Sequence, residues 1–273
     1  MATKNFIPAI WSETLLKSLD KEYVAVMNCN RDFEGEIRNQ GDSVTIPSIG
    51  PISVFDYVRD SDMSVENLAE GSAVTLKIDR AKAFCFQIDD VDRVQSKPDL
   101  MKNAMREAAC ALADEADKYI YTLYTNAAEG NTIAKSVDAD GIVDVLIETR
   151  QRLMQNNVNS NTSVVLEVSP AIAALILKAK ILTGTDNTEA LTNGYIGSFV
   201  GFDVYVSNNI AKAGNVWHCM ARTKRAIAFA EQLKSVEAFR PEKRFADAVK
   251  GLHLYGAQVV YPNELIVLDL SVA

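Results

Sequence analysis

Nucleophilic catalysis needs a thiol or hydroxyl beside a base. This chain offers two histidines, His218 and His253, and four cysteines, Cys29, Cys85, Cys110 and Cys219. His218 and Cys219 are neighbours on a segment that reads as a strand, where successive side chains point to opposite faces. A Cys–His pair is therefore not expected from them; they read as a packed strand histidine and a buried thiol. His253 reads as a strand or turn residue. No CxxC, HxxxH or HExxH spacing is present, which argues against a zinc site. The acids Asp89, Asp90 and Asp92 form a DDxD cluster that could bind Mg²⁺ or work as an acid–base pair. Their place between a strand and a helix makes a solvated turn the default. The glycine-rich stretch Gly194–Gly201 lacks the phosphate-loop spacings and leads into a strand, so no helix N-terminus is there to hold an anion. A GxSxG elbow is missing as well. No catalytic constellation emerges, and neither an enzyme, a cofactor nor a metal is expected.

The elements that would position these residues fall in a clear order. Ser12 can cap a short helix with Leu15, Leu16, Leu19 and Tyr23 on one face, and Trp11 and Leu16 have hydrophobic-staple spacing. Strands follow at 43–47, 52–58, 74–78 and 82–88, with the polar, acidic stretch 59–72 between the two pairs. A connection that long beside the apolar cluster Val54, Phe55, Tyr57 and Val58 implies a protruding hairpin with something to bind. From Leu100 to about Ala128 the chain has no Gly or Pro, and Met101, Met105, Ala108, Leu112, Ala116, Tyr119, Leu123 and Ala127 recur at helical spacing. Ser96-Lys97-Pro98-Asp99 opens it as a capping sequence with proline in the first turn. The second half reads as α/β. Helices are expected over 137–155 and 170–178, a polar loop over 183–192, and strands at 163–168, 202–206, 215–221, 226–230, 236–239, 254–261 and 265–270.

Composition is that of an ordinary globular protein: 273 residues, 48% hydrophobic and 23% charged. No apolar run approaches the roughly 18 residues that would span a bilayer. The opening residues MATKNFIPAIWSE have no apolar h-region, so a secretory signal is not expected. The scattered cysteines fit reduced thiols in a cytosolic setting. Net charge is −8, made of −6 over residues 1–100, −4 over 101–200 and +2 over 201–273. That balance is a poor match to a nucleic-acid reader, which shows a basic stripe. Residues 50–75 hold five acids and one base, and residues 222–250 hold eight bases and four acids.

Three stretches, taken with the order of elements, resemble one family. Cys29–Ile37 followed by Gly41–Val44 is similar to the start of many coat proteins from phages of Gram-positive bacteria. Gly194–Gly201 followed by Phe202–Asn209 resembles their A-domain entry, and Phe245–Gly251 with Tyr255–Ala257 their closing segment. The chain thus resembles the major capsid protein of tailed bacteriophages. The resemblance implies an α+β chain with the Hong Kong-type capsid fold: N-terminal arm 1–40; P-domain strands 41–95, with the E-loop hairpin at about 50–72; spine helix of the P-domain 96–136; α/β A-domain 137–240; closing strands of both domains 241–273. The founding member of the fold crosslinks its subunits through an E-loop lysine. Residues 50–75 contain no lysine, so covalent chainmail is not expected.

The resemblance implies a non-catalytic homo-oligomer of pentamers and hexamers in the virion, assembled in the bacterial host cytoplasm. It implies a separate scaffolding protein, or none, and a portal as partners, no membrane, and DNA enclosed without sequence-specific binding. The charge asymmetry adds expected inter-subunit contacts. The acidic segment, with Asp56, Asp60, Asp62 and Glu66 and the apolar anchors Phe55, Tyr57 and Val58, would meet Arg222, Arg225, Arg240, Lys243 and Arg244 of an adjacent copy. The rivals are an encapsulin-type nanocompartment shell, a tail or connector component, and, at a distance, a metal-dependent α/β enzyme built on Asp89, Asp90 and Asp92.

Overall fold

The run free of glycine and proline forms the longest helix, α1 (Leu100–Thr122), in a computed structural model that describes residues 15, 18–19, 23–33, 41–46, 56, 59, 73–89, 100–182, 195–242 and 246–272. At 1.5 Å per residue its 23 residues span about 35 Å. Its buried stripe is Met105, Ala109, Leu112, Ala116 and Ile120, at spacings of three and four. The sequence predicts a helix to about residue 128, yet the α-helix stops at Thr122 and tightens into the 3₁₀ turn Leu123–Asn126. The cause is local: Thr122 Oγ1 donates to Tyr119 O at 2.7 Å, and Thr, Tyr and Asn are weak helix formers.

Twelve strands are described, in three sheets: β1 (Ser43–Ile46), β2 (Val74–Lys77), β3 (Arg80–Asp89), β4 (Thr132–Val137), β5 (Val164–Val168), β6 (Tyr195–Phe199), β7 (Phe202–Val206), β8 (Lys212–Ala213), β9 (Val216–Thr223), β10 (Ile227–Phe239), β11 (Ala246–Val259) and β12 (Leu265–Val272). The largest sheet runs β4-β12-β9-β5-β7-β6, with β8 paired to β9; β4/β12 and β5/β7 are parallel and its other pairs antiparallel. Helix α2 (Gly141–Gln155) connects the parallel strands β4 and β5, and α3 (Pro170–Leu182) leads from β5 to the edge strand β6, which turns back into β7. The two helices pack against each other. Ile142, Val145, Leu146, Thr149 and Leu153 point inward from α2, as its periodicity predicts.

A smaller antiparallel sheet, β10-β11-β3, is built from two strands of 13 and 14 residues and one of 10. The chain passes between the two sheets three times, from β3 through α1 into β4, from β9 into β10 and from β11 into β12. The pair β1–β2 packs on the small sheet, with Val44, Ile46, Leu76 and Ile78 against Ala228, Ala230 and Leu254. Gly256 permits that crossing: a Cβ there would lie 2.1 Å from Lys77 O.

Other predicted boundaries differ as well, most of all around α2. Helix α2 begins at Gly141 and not at 137, because Asp138 Oδ1 accepts the Gly141 amide at 2.7 Å and turns the chain there. Before that turn, residues 132–137 are strand β4, whose partner β12 lies 135 residues away. Leu15 and Leu19 are helical and fully buried, and Tyr23 is buried. The Ser12 cap, Trp11 and Leu16, and the loop 183–192 lie outside the described residues. So do the strand 52–58 and the stretch 59–72, apart from exposed Asp56 and Arg59.

Candidate functional site

Where the two sheets meet, residues 23–31 lie across the junction and are held by three buried carboxylates from three different elements. The first is Asp117 of α1, 2% exposed. Its Oδ2 accepts Val24 N at 2.9 Å, and its Oδ1 accepts Ala25 N and Val26 N at 3.1 Å each. These amides open the 3₁₀ turn Val26–Asn28 and have no partner within it. Burial pushes the Asp117 carboxyl up to about 7, against the pull of those amides.

The second is Glu167 of β5, fully buried with Arg222 of β9. Arg222 grips it as a fork, Nη2 to Oε1 at 2.8 Å and Nε to Oε2 at 3.1 Å. The same guanidinium donates Nη1 to Asn28 O at 2.5 Å and Nη2 to Ala25 O at 3.0 Å. Burial raises the Glu167 carboxyl above its ordinary range while Arg222 pulls it down. The third is Glu231 of β10. It accepts the Tyr23 hydroxyl at 2.5 Å and Arg31 Nη2 at 2.7 Å. His253 Nε2 of β11 lies 2.8 Å from Glu231 Oε2. Burial works to raise Glu231, but His253, Tyr23 and Arg31 outweigh it and hold the carboxyl below its usual value. An ionised carboxylate only accepts, so His253 Nε2 carries the proton. Asn30 completes the attachment by pairing in parallel with Ala228 at the edge of β10, with Asn30 N to Ile227 O at 2.9 Å and Phe229 N to Asn30 O at 2.8 Å.

The chemistry-bearing residues of the sequence fall into structural places. His218 and Asp269 face each other across β9 and β12, Nδ1 to Oδ1 at 2.6 Å, and Tyr124 stacks on the imidazole with centroids 4.1 Å apart. Cys219, on the opposite face, is fully buried and its thiol is pushed up to about 12 by burial. Cys29 is pushed up to about 11 for the same reason. Neither supplies a thiolate near neutral pH. His253 is a fully buried strand residue. The Gly194–Gly201 stretch contributes β6 and a two-residue turn into β7, with Gly197 and Gly201 at φ 94° and 76°. The side chain of Asp89, and all of Asp90 and Asp92, lie outside the described residues.

The expected contact residues divide. Arg222 is a correction: it is 0% exposed and spends its donors on Glu167, Ala25 and Asn28, so it is no surface contact. A cation inside the charge tract 222–250 was read from composition alone, which carries no information on facing. Arg225 is exposed; it pairs with Glu264 and lies over the Tyr261 ring at 5.4 Å. Lys250, in the same tract, pairs with Glu237 directly across the strands at 3.0 Å. Arg240 and Asp56 are exposed. Phe55, Tyr57, Val58, Asp60, Asp62, Glu66, Lys243 and Arg244 lie outside the described residues. The carboxylates that hold residues 23–31 escaped sequence reasoning, although one signal was present: Glu167 stands inside the apolar run VVLEV and Arg222 inside VWHCMART. A charge in a fully buried strand needs a partner.

Comparison with known proteins adds the following. Residues 72–268 match the family described as phage capsid protein. No curated protein matches the sequence. A structure from Mycobacterium phage Che8 is 28% identical, covering 90% of each chain at a TM-score of 0.71. The capsid structure of the cyanophage P-SCSP1u is 15% identical, covering 92% of this chain and 89% of that one at a TM-score of 0.70. The SrpI encapsulin complex of Synechococcus elongatus is 13% identical, covering 85% and 83% at a TM-score of 0.58.

Proposed function

The chain belongs to the phage capsid protein family and has the Hong Kong-type capsid fold, and from that premise we propose how its copies build a shell. It is a structural protein, a major capsid protein. What carries this function is the family match over residues 72–268, on a fold that covers 90% of the Che8 chain. The encapsulin likeness, at 13% identity, is a likeness of fold alone.

In the proposed assembly, copies join as pentamers and hexamers into a closed icosahedral shell around double-stranded DNA. The site of assembly is the bacterial host cytoplasm, with a separate scaffolding protein and a portal. No catalysis is involved. Closure requires every copy to present its contacts at a fixed angle. Residues 23–31 supply that rigidity, because their charged anchors tie α1, the large sheet and the small sheet into one body. The E-loop of the family fold, at about residues 50–72, carries Asp56, Asp60, Asp62 and Glu66 with Phe55, Tyr57 and Val58 onto an adjacent copy, near Arg225, Arg240, Lys243 and Arg244. Weak contacts repeated around each ring then sum to a stable lattice.

Electron microscopy and light scattering of the purified protein, alone and after co-expression with a scaffolding protein, test this. Closed shells, or rings of five and six, are expected. A monodisperse species of 29.9 kDa in both preparations would sink the proposal.

A further inference from the structure

The three passages between the sheets meet at one short 3₁₀ turn, Pro262–Glu264, which joins β11 to β12. The passage from α1 into β4 arrives there first, with Ala128 N donating to Pro262 O at 3.3 Å. Asn131, three residues on and buried, turns its side-chain amide to Pro262 O, Asn263 O and Leu265 O, at 3.2, 3.3 and 3.1 Å. The passage from β9 into β10 lies alongside: Val260 N and Tyr261 N both donate to Ala226 O, at 2.8 and 3.2 Å. Glu264 closes the knot from within the turn. Its carboxylate accepts the Thr223 hydroxyl at 2.5 Å and the Arg225 guanidinium as a fork, through Nε at 2.8 Å and through Nη2. Helix α2 ends on the same spot, where Asn156 Nδ2 donates to Asn263 O at 2.8 Å and to Asn131 Oδ1 at 3.1 Å.

These bonds do not make the sheets. The strands on either side pair through their own backbones, whereas Asn131 and Glu264 join the passages that connect one sheet to the other. Both side chains are 7% exposed, and polar groups so buried are costly unless their bonds are made. Position shows what the bonds achieve. Thr223 follows Arg222 on β9, and consecutive strand residues point to opposite faces. Arg222 reaches residues 25 and 28, while Thr223 reaches Glu264. The seam between the sheets is therefore pinned from both faces. One pin alone would let the sheets pivot about it; two on opposite faces fix the angle between them.

We infer that Asn131 and Glu264 are positioning residues that set the angle between the large and the small sheet, and through it the curvature of the shell. In a closed assembly every copy repeats the same contacts, so the shape of one copy sets the direction of the next. A small tilt at the seam then recurs in every copy and changes the diameter at which the shell closes. This inference rests on the shell-forming function proposed above, and it concerns bonds within one copy.

The test uses the whole chain. Asn131→Ala removes the amide that holds the turn, and Glu264→Gln keeps the volume but leaves a single acceptor oxygen for Thr223 and Arg225. Both variants are expected to assemble at the wild-type protein concentration and to lose the single shell diameter that the wild type shows by electron microscopy. Ile172→Val, a core change in α3 that touches none of these bonds, separates geometry from stability. It is expected to lower the melting midpoint and keep the diameter. Should the knot variants fail to fold, hydrogen exchange in the unassembled wild-type chain decides. The Val260 and Tyr261 amides are expected to exchange as slowly as those of β11 and β12, as a fixed seam requires; exchange as fast as an open turn overturns the inference. Folded knot variants that close at the one wild-type diameter, or that do not assemble, overturn it alone, as does a wild type whose own diameters are mixed. A wild-type protein that forms no shells or rings overturns the shell function, and this inference with it.

Discussion

Replacing Arg222 by alanine leaves Glu167 as a fully buried carboxylate without its cation, strips Asn28 O of its guanidinium donor and leaves Ala25 O with Asn28 N and Cys29 Sγ alone. Breaking such a pair from one side costs roughly 3–5 kcal/mol, whereas replacing both partners by apolar residues of similar volume can be neutral. Denaturant unfolding should therefore show a large loss for Arg222→Ala and a much smaller one for Arg222→Met with Glu167→Leu. Equal losses would mean that the bonds to residues 25 and 28, and not the buried charge, carry the energy. Asp117 makes a prediction in pH. Its carboxyl titrates at about 7 when folded against an ordinary 3.8, so between those values the folded chain holds a proton that the unfolded chain has released. Stability then falls as pH rises through that window. Glu231 has the opposite sign: its lowered value gives stability that is present above its ordinary 4.5 and lost in acid. Asp117→Asn cannot release the proton, although its amide forfeits an acceptor for one of the three backbone amides, at about 1 kcal/mol. Melting midpoints measured from about pH 5 to about pH 7.5 should decline in the wild type and stay flatter in Asp117→Asn. Parallel curves would refute the assignment.

The elements obey the same physics, with spacing in place of charge. Where β2 crosses β11, Gly256 lets the backbones approach so closely that an added Cβ would meet Lys77 O at 2.1 Å. Backbone cannot swing away, so Gly256→Ala should cost about 3 kcal/mol, the upper part of the overpacking range, and loosen the β1–β2 pair. At Gly251 the added atom would meet the half-exposed Phe84 ring at 2.4 Å, and a ring can turn, so Gly251→Ala should cost less. Thermal unfolding of the two variants checks the order; a reversed order would place the tight crossing elsewhere. The sequence announced most elements through their own periodicity: α1, the inward face of α2, and strands such as β5 and β7. It hid those that owe their form to distant partners. Strand β4 has two buried apolar residues, Ile133 and Val137, and becomes a strand by pairing in parallel with β12. Strand β10 reads as two pieces, 226–230 and 236–239, and β11 only as 254–261, because polar residues such as Glu231, Gln232 and Lys250 interrupt the pattern, while the register carries the strands through. The junction around residues 23–31 was illegible for a related reason. Its anchors Asp117, Glu167 and Glu231 come together from positions up to 114 residues apart, and no spacing in a sequence encodes that meeting.

At the scale of the whole molecule, identity was readable from the order of the parts, since a hairpin, a long helix and an α/β half in series constrain the fold more than any one motif. The charge pattern was less informative, because the fold consumes part of it. Of the eight bases in 222–250, Arg222 is buried against Glu167, Arg225 is paired with Glu264 and Lys250 with Glu237, so the steering field of that tract is weaker than its composition implies. This bears on how copies meet. Exposed charges act over about 10 Å at 0.1 M salt and over less as salt rises, and they set the rate and orientation of encounter more than final affinity. Reversing Asp60 and Asp62 to lysine turns the net −4 of residues 50–75 into zero. If that segment is steered onto Arg225, Arg240, Lys243 and Arg244 of a neighbour, the double variant should assemble several-fold more slowly at low salt. It should converge on the wild type as salt screens both, leaving Phe55, Tyr57 and Val58 to hold the contact. Light-scattering time courses across a salt titration read this directly. Identical courses at every ionic strength would show that the acidic segment is simply solvated. They would leave the apolar faces, and not charge, to decide which copies join.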